Sequence, residues 1–244
     1  MLDSIKRWIG GTRGKPDGQA VQAWALQRGL SAKRVRQGEG IVVEGTLNGI
    51  AWRMEWGAPQ RSYLLDRELR MRMDLQLPAG MQMLITSRAL AEELEQAAYA
   101  LFTQDMQTQI DSGMPEEMRW LAMFPKIQVA AMKPLRSRFS AVANAPGPLN
   151  AWLDPALTAQ LDEASRHWLA NDEPMVLMTL RGRLYLRFEA LEPTAPMLDG
   201  ALALYEAAAR SALAAAEGVA AQQPAWPASS STAWQSHLPS EFPE

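Results

Sequence analysis

The dipeptide Asn48-Gly49, inside GIVVEGTLNGIAWRMEWG at residues 40–57, constrains this chain more than any other feature. Asn-Gly is the preferred pair for a two-residue type I′ turn, whose central residues both need positive φ. Placing it at a hairpin tip pairs Leu47 with Ile50, Gly45 with Trp52, Val43 with Met54 and Ile41 with Trp56. Side chains alternate faces along a strand. One face therefore collects Ile41, Val43, Leu47, Ile50, Trp52, Met54 and Trp56, with Val42 the one apolar exception. The other face sets Glu44 opposite Arg53, an opposite-charge cross-strand pair. Gly45 leaves room for the Trp52 ring, which pins the register. An aromatic stripe at strand spacing is core material, so Trp52 and Trp56 are read as core rather than as a stacking platform.

The same alternation recurs. In DRELRMRMDLQLP, Leu69, Met71, Met73, Leu75 and Leu77 oppose Glu68, Arg70, Arg72, Asp74 and Gln76, which predicts a half-buried antiparallel strand with a wet charged face. GMQMLITS, residues 80–87, predicts another strand. Arg181-Gly182 predicts the tip of a second hairpin, with Met175, Leu177, Thr179, Leu184, Leu186 and Phe188 on one face. Helical spacing appears at 18–29, with Val21, Trp24 and Leu26 inward and Gly29 as C-cap. Further helices are predicted from Ser87 as N-cap to about 108, from Pro115, from Asp154-Pro155 to about 169, and from Thr194 to about 221. Residues 57–65 form a loop, RSRFSAVAN allows a strand, and APGP is a break. Hairpin-scale connections with helices clustered between them indicate α+β, an antiparallel sheet packed by several helices, rather than alternating βαβ.

Three segments follow. Residues 1–17 make a flexible N-terminal segment, in which Leu2, Ile5, Trp8 and Ile9 share one side of a short amphipathic stretch. Residues 18–221 make the α+β globular domain, with a candidate boundary between two lobes near 125–148. Residues 222–244, QQPAWPASSSTAWQSHLPSEFPE, lose all periodicity and predict a disordered tail. The tail carries Trp226, Trp234 and Phe242, aromatic residues that a purely solvating tail does not need, so these are the candidate partner-binding residues.

Charge is uneven. Residues 1–72 hold thirteen Lys or Arg against seven Asp or Glu, and the remainder hold eleven against twenty. The basic end suits an anionic partner or a solvated face. The overall net charge of −3 argues against a dedicated nucleic-acid binder. There are no cysteines, which excludes thiolate nucleophiles, disulfides and Cys-ligated metals. No signal peptide or membrane span is recognisable, so a cytoplasmic setting is expected.

Catalytic signatures are missing. There is no G-x-S-x-G elbow, no H-E-x-x-H, no EF-hand loop and no P-loop; GGTRGKPDG at 10–18 has the wrong spacing for one. His167 lies four residues after Glu163, the spacing of an exposed helix pair, and His237 lies in the tail. Glu92-Glu93, Glu116-Glu117 and Asp162-Glu163 are neighbours in sequence, which point apart on a helix, and each is read as a solvated face. Methionines near 114–132 (Met114, Met118, Met123, Met132) could line an adaptable groove. No catalytic, cofactor or metal residue is assigned.

Three pieces of this sequence carry a resemblance: a helix ending in Arg28-Gly29, the unit from Gly45 to Trp56 with its W-R-x-E-W strand, and the R-G-R-L-x-L-R hairpin from Arg181 to Arg187. Over about the first 220 residues their order resembles that of bacterial cytoplasmic proteins of unknown function. The resemblance implies a bacterial cytoplasmic setting and brings no activity. The expectation is a non-catalytic interaction or scaffold protein with another protein as partner. The alternatives are an enzyme or small-molecule binder whose pocket is assembled from distant residues, and a protein that touches a membrane surface through residues 1–9.

Overall fold

Both hairpin tips adopt the backbone that their sequences demand. Asn48 and Gly49 have φ of 50° and 82°, and Arg181 and Gly182 have 51° and 81°, the paired positive values of a type I′ turn. The computed structural model describes residues 18–35, 40–103, 114–127, 129–170 and 173–222. The first helix is α1 (Gln19–Gln27), followed by β1 (Ser31–Arg34), β2 (Ile41–Leu47), β3 (Ile50–Gly57), β4 (Glu68–Asp74) and β5 (Met83–Ser87). Then come α2 (Arg88–Thr103), α3 (Glu116–Met123), a 3-10 helix (Ala130–Leu135) and β6 (Phe139–Ala143). The last described elements are α4 (Pro146–Trp152), α5 (Pro155–His167), β7 (Met175–Leu180), β8 (Arg183–Glu189) and α6 (Ala195–Gln222). All eight strands form one sheet in the order β1-β2-β3-β4-β8-β7-β5-β6, antiparallel throughout. The protein is α+β, and both hairpins belong to the same sheet.

The register matches the turn chemistry. Leu47 pairs with Ile50, Gly45 with Trp52, Val43 with Met54 and Ile41 with Trp56. Apolar rows therefore run unbroken across strands. One passes through Ala32, Val43, Met54, Met71, Leu186, Leu177, Ile85 and Ala141, one residue from every strand. Helices α1, α4, α5 and α6 bury this face, with Val21, Trp24, Leu149, Trp152, Leu157, Leu161, Leu198 and Tyr205 in the same core cluster. Trp52 and Trp56 are buried there. The polar ends of the large aromatics are satisfied: Trp56 Nε1 donates to the Ala190 carbonyl at 2.7 Å, Trp152 Nε1 to Ala208 at 2.9 Å and the Tyr205 hydroxyl to Leu184 at 2.9 Å.

Several local expectations are corrected. Helix α1 does end in a Schellman-type cap at Gly29 (φ 66°), with Leu30 N bonded to Ala25 O and Gly29 N to Leu26 O. Leu26, however, points out and is 80% exposed, because it lies about 200° around the helix from Trp24; Ala25 takes the inward place. Ser87 ends β5 directly before α2, and its hydroxyl accepts from Met175 N at 3.2 Å. APGP does not break the chain but begins α4, with Pro146 in the first turn. Asp154 caps α5 as expected, accepting from Leu157 N at 2.8 Å, and its second oxygen takes a bond from Ser211 on α6. Strand β1, SAKR, carries no apolar alternation and is recruited by pairing with β2. Within the α2 stripe Leu90, Leu94 and Ala98 are buried, Ala97 is exposed, and Leu101 and Phe102 lie outside the residues whose side chains are described.

Gly45 is the tightest point of the register. A Cβ there would lie 2.3 Å from the Trp52 ring. Gly45→Ala is expected to lower unfolding free energy by about 1–3 kcal/mol, the usual cost of overpacking a rigid core, measured by urea denaturation. An unchanged midpoint would show that Trp52 has room to move.

Candidate functional site

The second face of the sheet is divided. On the β5-β6-β7 side, α2 and α3 cover it with a second core cluster that includes Leu84, Val142, Val176, Met178, Leu90, Leu94, Met118, Trp120 and Leu121. On the β1-β2-β3-β4-β8 side most outward positions are charged. One row reads Lys33, Val42, Glu55, Arg70, Arg187; the next reads Ser31, Glu44, Arg53, Arg72, Tyr185. Here a groove of about 590 Å³ opens, lined by Glu44, Thr46, Ala51, Arg53, Arg72, Asp74 and Arg183, with Gly45, Trp52 and Met73 completing its floor. The size suits a ligand or peptide segment.

The cross-strand charges pair in a chain. Arg53 reaches Glu44 at 3.3 Å and Glu55 at 2.5 Å; Arg70 holds Glu55 at 2.5 Å and Glu68 at 3.5 Å; Arg187 reaches Glu68 at 3.3 Å. Arg183 pairs with Asp74 at 3.2 Å and Lys33 with Glu44 at 3.5 Å. Burial pushes the Glu55 carboxyl up, but hydrogen bonds from Arg53 and Arg70 outweigh it and hold it below its ordinary value.

A buried knot closes one end of this face. The loop 58–67 is tied down by three carboxylates: Glu68 accepts from Gln60 N at 2.7 Å, Glu189 accepts from Leu65 N at 2.9 Å, and Glu117 on α3 takes Arg61 Nε at 2.7 Å and the Tyr63 hydroxyl. Glu68 and Glu117 have no solvent exposure and Arg187 is buried. Burial raises the Glu117 carboxyl, yet the Arg61 charge and the Tyr63 hydrogen bond outweigh that and hold it below its ordinary value. Burial and the adjacent Glu117 charge push the Tyr63 hydroxyl far above its ordinary value. The expectation of a solvated Glu116-Glu117 pair is therefore corrected: Glu116 pairs outward with Arg119, while Glu117 turns into the protein. The expected wet face of β4 holds for Arg72 and Asp74 but not for Glu68.

Trp226, Trp234, Phe242, His237 and residues 1–17 lie outside the described residues. His167 and Glu163 form an exposed pair at 3.5 Å on α5. Of the methionines proposed as a groove, Met118 and Met132 are buried and Met123 is exposed, so they do not form one surface. No helix among the described residues is long and apolar enough to cross a membrane, and among them no group of three His, Asp or Glu side chains is placed to hold a metal ion.

No protein-family model matches the chain, and no curated protein matches it in sequence. Among solved structures, the fold is similar to the crystal structure of the mycobacterial trehalose monomycolate transport factor A, TtfA, with a TM-score of 0.48 and 8% identity, covering 81% of this chain and 95% of that one. A likeness at that level transfers nothing about function.

Glu117 titrates below its ordinary value, so its stabilisation is fully present above the unfolded carboxyl pKa of about 4.3 and is lost as pH falls through the lower folded value. Glu117→Gln should cost about 2 kcal/mol at pH 7, the scale of a charged hydrogen bond. The gap to the wild type should narrow as pH drops below about 4. Denaturant melts at pH 7, 5 and 3.5 would read this directly.

Proposed function

We propose that this is a non-catalytic protein-interaction protein of the bacterial cytoplasm, which binds another protein on the β2-β3-β4-β8 face, where no described helix lies. The observation that supports this reading is the division of the second sheet face. Helices α2 and α3 bury one half, while the other half presents a grooved, charged surface over paired strands. Paired strands present alternating side chains to a partner. The mixed signs suit specificity and encounter rate rather than bulk affinity. The reading needs no cofactor. The tail residues Trp226, Trp234 and Phe242 remain a proposed second contact, reached from sequence alone.

Site-specific photocross-linking in living cells tests the assignment with the full chain. A benzophenone amino acid would replace Thr46 or Ala51, both exposed in the groove, Trp226 in the tail, or Glu163 on α5 as a control. Discrete cross-linked protein bands from Thr46 and Ala51, absent from Glu163, are expected. Bands from Trp226 alone would move the contact to the tail, and bands from none would remove the interaction reading.

A further inference from the structure

We infer that Arg72 is the recognition point of this groove, and that it takes a single carboxylate side chain from a polypeptide partner. The inference rests on the interaction reading above and gives it a chemistry. Among the described strand residues of this face, every other cation has a carboxylate: Lys33, Arg53, Arg70, Arg183 and Arg187 pair with Glu44, Glu55, Asp74 or Glu68. Arg72, exposed in the middle of β4, has no ion pair or hydrogen bond among the described residues. Its cross-strand neighbours make this worse rather than better. Directly opposite on β3 stands Arg53, and on β8 stands Tyr185. Like charges directly opposite are unfavourable. An anion seated at Arg72 would relieve that contact and use the planar donor fork that guanidinium offers a carboxylate.

The charge around Arg72 selects the kind of anion. Glu44, Glu55, Glu68, Asp74 and Glu189 all lie on the same face as the free guanidinium. A continuous polyanion such as nucleic acid, or an anionic lipid surface, would meet those carboxylates as well as the arginines. One isolated acidic side chain meets only the unmatched cation. Arg183 stands at the groove wall, held by Asp74 at 3.2 Å, and bounds the place where the carboxylate would lie. The extended groove floor along β2, β3 and β4 suits a chain segment carrying that side chain.

The test is a titration of the full chain, labelled with nitrogen-15, followed at the arginine Nε–Hε signals. The probes are the capped peptides Ac-Ser-Glu-Ser-NH2 and Ac-Ser-Gln-Ser-NH2, with inorganic phosphate as a third arm. The inference expects a saturable shift at Arg72 with the Glu peptide, at least tenfold weaker with the Gln peptide and lost in Arg72→Gln. Backbone signals of β2 to β4 in Arg72→Gln report that the sheet is intact. Equal response to both peptides, or shifts of the same size at the exposed Arg166 and Arg210, would overturn it. Binding of phosphate at Arg72 without binding of the Glu peptide would overturn the carboxylate assignment. Cross-links from Thr46 and Ala51 that survive in Arg72→Gln would show the interaction reading standing while this inference fails.

Discussion

The fold depends on the register between β2 and β3, which the Asn48-Gly49 turn and the Gly45–Trp52 contact set together. A strand has a side-chain period of two, so a slip of one residue would carry every apolar side chain to the charged face and every arginine into the core. With the register fixed, one unbroken apolar row crosses all eight strands, and α1, α4, α5 and α6 have a single continuous surface to bury. The same register sets opposite charges side by side on the other face, Glu44 against Arg53 and Glu55 against Arg70. Core and charged surface are two sides of one pairing.

Much of this was legible in residues alone because it is local. Turn type follows from Asn-Gly, face follows from alternation, and the start of α5 follows from Asp154-Pro155. What was not legible is pairing over long sequence distance. Nothing in SAKR marks β1, which exists because β2 offers an edge. That β8 lies between β4 and β7, joining the two hairpins in one sheet, is a matter of topology. The buried knot was missed for a related reason. Reading Glu116-Glu117 as a neighbouring pair hid the helical position of Glu117, which sits three and four residues before Trp120 and Leu121 and so on their buried stripe. That spacing was the available signal. Its partners Tyr63 and Arg61 lie over fifty residues away, beyond any periodicity argument.

The two halves of the second face show what helix cover does to a sheet. Where α2 and α3 lie, the outward positions are Leu84, Val142, Val176 and Met178. Where no described helix lies, most of them are charged, and among the described residues their charges are matched by neighbours except at Arg72. The exposed pairs, Lys33 and Arg53 with Glu44 and Arg183 with Asp74, add little stability each, whereas the buried Glu68 and Arg187 each need the charge beside them. The loop tied by Glu68, Glu117 and Glu189 fixes one border of the surface, and the 0% exposure of Glu68 and Glu117 makes that border rigid rather than adaptable.

A residue kept for binding rather than for folding should be dispensable for stability. The equilibrium unfolding free energy of Arg72→Thr is the most direct measurement of that distinction. Thr suits a strand, and its introduction removes the like-charge neighbour of Arg53. Stability unchanged, or raised by up to about 1 kcal/mol, is the predicted result. A loss of more than about 1 kcal/mol, beyond the usual scatter of surface substitutions, would show Arg72 to be part of the scaffold and would contradict the assignment of this face to a partner.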